Sequence, residues 1–180
     1  FPMILPFQIC LISQKHKAHL NFHLATYSVN KHMLKSTVHQ ALTDVLVQKH
    51  EELNTIRVEA SDGKTNDAKS SAGDKHEVGV AMVQLEQEKL GKQVQIIEEQ
   101  LTLLSRIDLS KNHVKISVGS LVHCENQWYY FSIGHGLLTV ENQSIFCLNP
   151  QAPLGKEMLG KAKGDAVLFQ GRKMVIQSIF

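Results

Sequence analysis

Residues 152–165, which read APLGKEMLGKAKGD, are the most informative part of this chain for its architecture. Pro153 stands where a helix begins, because proline is tolerated in the first helical turn. Gly160 and Gly164 follow the apolar part of the stretch, and glycine commonly ends a helix. The stretch therefore predicts one short helix.

Short segments rich in Val, Ile, Phe and Tyr lie on both sides of this helix, separated by Asn, Gly and Gln. Such runs between turn residues are typical of β-strands. From residue 113 onward they read HVKISVGSLVHC, QWYYFSIG, QSIFCLNP, DAVLFQ and KMVIQSIF. Residues 109–180 are therefore predicted to form a small antiparallel sheet with one short helix packed on it.

Two longer segments, residues 34–59 and about Asp74 to Arg106, have helical periodicity, with apolar residues in steps of three and four. The polar and small residues 61–73 join them as a turn or loop. We expect an antiparallel two-helix coiled coil, with helices about 40 and 50 Å long. The positions expected to be buried are Val38, Leu42, Val45, Leu46, Leu53 and Ile56 in the first helix, and Val78, Met82, Leu85, Leu90, Val94, Ile97, Leu101 and Leu104 in the second, where the step from Leu85 to Leu90 breaks the rhythm.

Two carboxylates, Asp74 and Glu77, stand three residues apart at the start of the second helix. This is the spacing of a capping box, in which each side chain bonds a free backbone N–H group. The same placement presents both carboxylates at the end of the helix pair, where a metal ion could be reached. The residues alone leave a cap and a metal site open.

Composition limits the function classes. The chain is 43% apolar, carries a net charge of +2 and contains no apolar run near the roughly 18 residues of a membrane span. Three cysteines form no disulfide framework and suit a reducing cytosol. Cys124 and Cys147, with His123 and His135, lack the spacing of a zinc site and are better explained as core residues and their neighbours.

Residues 1–32 differ from everything that follows. MILPFQICLI is apolar enough for part of a signal peptide, but no basic segment precedes it and no small-x-small site follows it. Met33 then opens the patterned part of the chain. We expect residues 1–32 to be a disordered or non-native extension, with a secretory signal as the alternative.

Three motifs resemble the Gre family of bacterial transcript-cleavage factors. APLGKEMLGKAKGD resembles that family's SPLGxALLGKxxGD segment, VGSLV at residues 118–122 resembles VGSxV, and Gly73, Asp74 and Glu77 resemble the acidic tip of its helical finger. The resemblance covers residues 33–180. It implies a coiled-coil finger at 33–108, with its acidic tip at about 61–77, and an FKBP-like domain at 109–180.

The resemblance also implies a function. The FKBP-like domain would dock at the secondary channel of bacterial RNA polymerase. Residues 110–180 carry a net charge of +3, and Lys156, Lys161 and Lys163 around the short helix would favour an acidic surface there, unless they only solvate that helix. The finger would enter the channel, where Asp74 and Glu77 would help to hold a second Mg²⁺ beside the polymerase's own metal. Backtracked RNA would then be cleaved by the polymerase, so the protein is expected not to be an enzyme itself and to bind no Mg²⁺ stably alone.

Further expectations concern the surroundings of this site. Lys69 and Lys75 are candidates for contact with nascent RNA or are simply solvated charges. We expect a cytoplasmic monomer without membrane contact. Two other functions stay open: a channel-binding regulator that does not stimulate cleavage, suggested by apolar residues directly after Glu77, and a peptidyl-prolyl isomerase. The isomerase is disfavoured because the consecutive aromatics at residues 128–131 alternate between the two faces of a strand.

Overall fold

The computed structural model describes residues 34–59, 73–125 and 127–180, with side chains from residue 81 onward in the second helix. The fold is α+β, as predicted: two long helices precede a six-stranded sheet. Helix α1 covers residues 34–59 and α2 covers Gly73–Ser105. The remaining elements are β1 (Leu121–Cys124), β2 (Gln127–Phe131), β3 (Gly136–Val140), β4 (Gln143–Leu148), α3 (Pro153–Met158), β5 (Ala166–Phe169) and β6 (Arg172–Ile179).

The sheet is mixed, which corrects the prediction of an antiparallel sheet. Its strand order is β3-β4-β2-β1-β6-β5, and β4 pairs with β2 in parallel, from Trp128 opposite Ile145 to Phe131 opposite Leu148. The reason is topological: after β2 the chain passes over to β3, and the β3–β4 hairpin then inserts β4 between β2 and β3. β3 itself, GLLTV, was not among the predicted strands.

Two-residue turns close the β3–β4 and β5–β6 hairpins. Glu141 and Asn142 have φ angles of 49° and 62°, and Gln170 and Gly171 have φ angles of 48° and 78°. Two successive positive φ angles are the property of a type I′ turn, whose twist matches that of the flanking strands. Both hairpins therefore have a fixed register.

Each face of the sheet is buried in its own apolar cluster. Tyr130 and Cys147 belong to the cluster that also contains helix residues such as Leu42 and Ile97, whereas Tyr129 and Phe131 belong to the cluster around Met158 of α3. The predicted alternation of the aromatics in β2 is thus confirmed. One face is covered by the long helices and the other, in part, by α3.

The long helices run in opposite directions. His50 of α1 lies 3.1 Å from Glu98 of α2, while Lys35 at the other end of α1 bonds Lys111, which follows α2. Along α1 the buried apolar positions are Val38, Leu42 and Leu46, close to the sheet. Val45 and Ile56 were expected to be buried but are 36% and 48% exposed, because half-buried His50 and Leu53 continue the contact side instead.

The buried stripe of α2 is partly as predicted. Leu90, Val94, Ile97 and Leu104 are at most 6% exposed, whereas Met82 and Leu85 are 69% and 68% exposed, so those two expectations were wrong. Half-buried Val83 and Gln87 lie on the contact side, and with Leu90 they keep the steps of four and three in phase. The apparent break at Leu85 arises because two apolar residues lie on the outer side of the helix.

The close packing of helix α3 on the preceding turn requires the glycine of the PLG sequence, Gly155. A Cβ atom on Gly155 would lie 2.3 Å from the carbonyl oxygen of Asn149 and 2.9 Å from that of Pro150. The N-terminal Pro153 confirms the expected start, and Gly160, with φ of 78°, follows the end of the helix. Only glycine allows α3 to approach the preceding turn so closely.

Candidate functional site

The acidic pair is carried by the part of α2 furthest from the sheet. The helical backbone includes both Asp74 and Glu77, whose side chains lie outside the description. Residues three apart share one face of an α-helix. From Glu77 to Leu104, which is packed in the sheet-side cluster, α2 spans about 40 Å at 1.5 Å per residue. The pair is therefore held at a distance from the sheet by one continuous helix.

The three lysines predicted to take part in docking lie on and after α3, in the sheet domain. Lys156 and Lys163 are exposed and Lys161 is half-buried. The carbonyl of Lys161 accepts a hydrogen bond of 2.8 Å from the backbone N–H of Ile116, and Asp165 Oδ2 accepts one of 2.8 Å from the N–H of Ala162. This backbone is therefore fixed on both sides, so the lysines belong to a rigid surface.

The structure does not bring the acidic pair and the lysines together. The pair is carried by α2, whereas the lysines belong to the sheet domain. Lys69 lies outside the described residues, and of Lys75 only the helical backbone is described. Their suggested contact with RNA stays a prediction.

A group of polar side chains, which we call the polar junction, joins α1 to the sheet and to the segment after α2; three of its members are buried and His39 is half-buried. It comprises Lys35, His39, His113 and Tyr130. Lys35 is 1% exposed, and its Nζ donates a hydrogen bond of 3.0 Å to the carbonyl oxygen of Lys111. Burial lowers the pKa of Lys35, which the nearby charge of Asp108 partly counteracts.

The surroundings of the two histidines in the polar junction favour their neutral form. His39 Nδ1 lies 2.8 Å from the hydroxyl of Tyr130, and His113 Nδ1 lies 2.6 Å from Ser117 Oγ. Burial lowers the pKa of both rings, and the positive charge of Lys35 lowers it further. His113 Nε2 is buried without a hydrogen-bond partner among the described residues.

Sequence reasoning missed the polar junction. The signal that was present is the spacing of Lys35 and His39, four residues apart and flanking Val38 on the side of α1 that packs against the sheet. A polar pair at such positions indicates a buried contact with partners elsewhere in the chain. The junction fixes the base of the helix pair, and hence the direction in which α2 carries the acidic pair.

An open cleft of about 560 Å³ lies where two hairpins meet, on the α3 side of the sheet. Its lining is formed by Cys124, Glu125, Gln127, Tyr129, Arg172, Lys173 and Met174. Tyr129 is the single aromatic residue in this lining. A peptidyl-prolyl isomerase needs an aromatic-lined apolar pocket, so the cleft gives that function no support.

The cysteines are separated by the sheet. Cys124 and Cys147 are buried on opposite faces, and burial raises their pKa values to about 11 and about 12. Across the described ranges, no three His, Cys, Asp or Glu side chains cluster closely enough to hold a metal ion. The alternative of a site built from Cys124, Cys147 and their neighbouring histidines is therefore wrong.

In the part of the chain that the structure describes, no helix is both long and apolar enough to cross a membrane. Neither a protein-family model nor a curated protein matches the sequence. Among solved structures, that of the transcription factor Gfh1 is similar, with a TM-score of 0.31 and 19% sequence identity. The match covers 77% of this chain and 93% of that chain. A likeness at this level assigns no family to the chain.

Proposed function

We propose that this protein is a Gre-like transcription elongation factor that binds bacterial RNA polymerase at its secondary channel and stimulates cleavage of backtracked RNA. The observation that carries the proposal is the unbroken α2, whose backbone runs about 30 Å from Glu77 before Ile97 joins the sheet-side cluster. The motifs at residues 118–122 and 152–165 support it. In this interpretation α1 and α2 are a coiled-coil finger and the sheet with α3 is an FKBP-like docking domain.

The acidic pair has the chemistry for Mg²⁺. This hard cation prefers oxygen ligands, keeps several waters and is often held by one or two carboxylates. A second ion beside the polymerase's own would stabilise both the attacking and the leaving oxygen of the phosphodiester. Asp74 and Glu77 would contribute negative ligands to that ion, whereas the catalytic centre would remain that of the polymerase.

Isosteric substitutions test the acidic pair. Asn caps a helix about as well as Asp, and Gln also serves in the capping box. Asp74→Asn and Glu77→Gln should therefore keep helicity and polymerase binding, while cleavage of a backtracked complex at limiting Mg²⁺ falls by about tenfold or more. Glu86→Gln, at an exposed position further along α2, is the matched control and should stimulate cleavage by the polymerase normally. Full cleavage by the double Asn/Gln variant would leave only the cap.

A second candidate, a channel-binding regulator that does not stimulate cleavage, is favoured by one observation. Val78, Gly79 and Val80 follow the acidic pair, and Met82 and Leu85 are exposed on the outer side of α2. Such a surface fits a role in occupying the channel. The cleavage assay separates the two candidates. If the unmodified protein is only a regulator, it will bind polymerase without increasing the polymerase's cleavage of backtracked RNA.

A further inference from the structure

The outer edge of β3 has no neighbouring strand among the described residues. β3 ends the sheet beside β4, and its five residues pair with β4 in unbroken register, from Gly136 opposite Cys147 to Val140 opposite Gln143. Among the described residues, no group outside β4 hydrogen-bonds the backbone of Gly136–Val140. The strand contains no charge, no proline and no bulge, which are the features that usually protect an edge from pairing.

The opposite edge of the sheet differs in charge. β5 is also uncharged, but in its neighbour β6 Lys173 stands opposite Leu168 and Arg172 stands opposite Phe169. In the β3–β4 hairpin the charged side chain is Glu141, which lies in the turn beyond the strand. The two strands at the β3 edge therefore contain no charged residue, whereas the two strands at the β5 edge contain Arg172 and Lys173.

The turn determines which backbone groups of β3 face outward. In a hairpin with a two-residue loop, the residues flanking the loop form a hydrogen-bonded pair, and such pairs alternate along the ladder. Val140, Leu138 and Gly136 therefore bond to β4. The N–H and C=O groups of Leu137 and Thr139 point away from the sheet and are available to another strand.

We propose that this edge pairs with β3 of a second copy of the chain, antiparallel about a two-fold axis at Leu138. This register sets Leu137 opposite Thr139 of the second copy, so that all four outward N–H groups meet outward carbonyls. It also sets Glu141 opposite His135 of the second copy at both ends of the pair. Both are exposed, so at each end of the pair the Glu141 carboxylate can accept a hydrogen bond from the His135 ring of the other copy.

Apolar side chains on both faces support the same register. Leu137 is 60% exposed and Phe146, its cross-strand neighbour in β4, is 37% exposed. Around the two-fold axis the two copies of Leu137 become diagonal neighbours on the α3 side of the joined sheet, within reach of each other. On the helix side the two copies of Leu138 would meet and join the apolar clusters of both chains.

The interface is small. Five residues from each copy are far fewer than the roughly 20–30 residues per side of a standard stable interface. The dimer should therefore be weak and should form only as concentration rises. The chain remains the monomer expected from its sequence when it is dilute.

Sedimentation velocity over a concentration series up to about 1 mM, a range suited to a weak interface, tests the proposal on the full chain. The weight-average mass should rise toward twice that of the monomer. Leu137→Lys and Thr139→Lys, both at exposed positions, should keep the mass monomeric. Leu168→Lys, at a residue 68% exposed on the opposite edge, is the control and should dimerise like the unmodified protein.

A charge exchange tests the register. Glu141→Lys should weaken dimerisation, and the double variant Glu141→Lys with His135→Glu should restore it. Amide hydrogen exchange should show protection of Leu137 and Thr139 that grows with concentration. A monomeric mass throughout the series would overturn the proposal. So would a dimer unaffected by Leu137→Lys, or protection of these amides independent of concentration, which would mean that the chain's own residues cover the edge.

Discussion

The hydroxyl of Tyr130 and Nδ1 of His39 lie 2.8 Å apart, and this hydrogen bond ties α1 to the centre of the sheet. Tyr130 is fully buried, and the rings of the two residues meet edge to face at 6.2 Å between centroids. The contact spans 91 residues of sequence, so it exists only in the folded chain. It fixes α1 against the sheet at this point.

Tyr130→Phe should reduce the free energy of unfolding by about 1 kcal/mol, because it removes the hydrogen-bond partner of half-buried His39. Urea unfolding of the full chain gives the value. Tyr129→Phe is the matched control. Among the described residues the Tyr129 hydroxyl bonds only the sulfur of Met174, at 3.6 Å, which is a weak acceptor. Equal losses in both variants would contradict the role given to the His39 contact.

Stability should fall as pH drops below about 6.5, the ordinary pKa of histidine. The folded state lowers the pKa of His39 and His113, so the unfolded chain binds more protons below that pH. Their contribution is complete above pH 6.5 and is lost as pH falls toward the folded pKa. The groups involved are Lys35 for both rings, with Lys111 and Asp108 also acting on His113.

Urea midpoints measured from about pH 7.5 to pH 5, a range that brackets the ordinary histidine pKa, test this dependence. His39→Gln and His113→Gln should each flatten the decline, although both will lower stability at neutral pH. A decline of unchanged steepness in the double variant would assign the pH dependence to other groups.

Leu90→Ala should destabilise the chain by about 2–4 kcal/mol, as expected for a buried leucine. Leu85→Ala, five residues earlier on the same helix, should change stability by less than about 0.5 kcal/mol. The difference follows from exposures of 6% and 68%. Thermal or urea unfolding measures both, and a large loss from Leu85→Ala would place the contact side of α2 elsewhere.

Gly155→Ala should disrupt α3, because the added methyl group would collide with the backbone carbonyls of Asn149 and Pro150. We expect a loss of several kcal/mol, about 3 or more, typical of overpacking against rigid backbone. Gly91→Ala in α2, where the added carbon meets no atom within 4 Å, should instead be neutral or stabilising by up to about 1 kcal/mol. A soluble, fully stable Gly155→Ala variant would contradict the packing of α3.

Replacing Lys156 and Lys163 by glutamine should weaken binding to RNA polymerase and reduce its salt dependence, because exposed charges mainly govern electrostatic attraction between partners. Arg172→Gln with Lys173→Gln removes the same charge from another exposed part of the sheet domain and is the control. Binding measured at several salt concentrations distinguishes them. Equal effects of the two double variants would point to net charge rather than to a docking surface.

The elements that the sequence predicted well are those marked by strong local signals. The periodicity of residues 34–59 and the Pro153 and Gly160 positions predicted α1 and α3 because both signals act within a few residues. Strand β3 was missed because GLLTV lies between glycines and a turn and shows no alternation of polar and apolar residues. The insertion of β4 beside β2 could not be predicted, since strand order depends on contacts across the sheet.

The candidate site shows the same division between residues with local sequence signals and residues that meet only in the folded chain. Asp74 and Glu77 were proposed from their spacing and the three lysines from local charge, and both stay predictions. The polar junction requires residues from α1, β2 and the segment after α2. Met82 and Leu85 were wrongly predicted to be buried, because the residue type alone does not tell whether an apolar side chain lies on the outer or the inner face of a helix. Only the neighbouring helix decides which side is buried.

The two buried cysteines can report separately on the opening of the two faces of the sheet. With pKa values of about 11 and 12, Cys124 and Cys147 carry almost no thiolate at neutral pH and should react with alkylating reagents mainly when their surroundings open. One thiol faces the long helices and the other faces α3. With Cys10 replaced, the modification rates of the two thiols would therefore time the undocking of the helix pair separately from the loosening of α3.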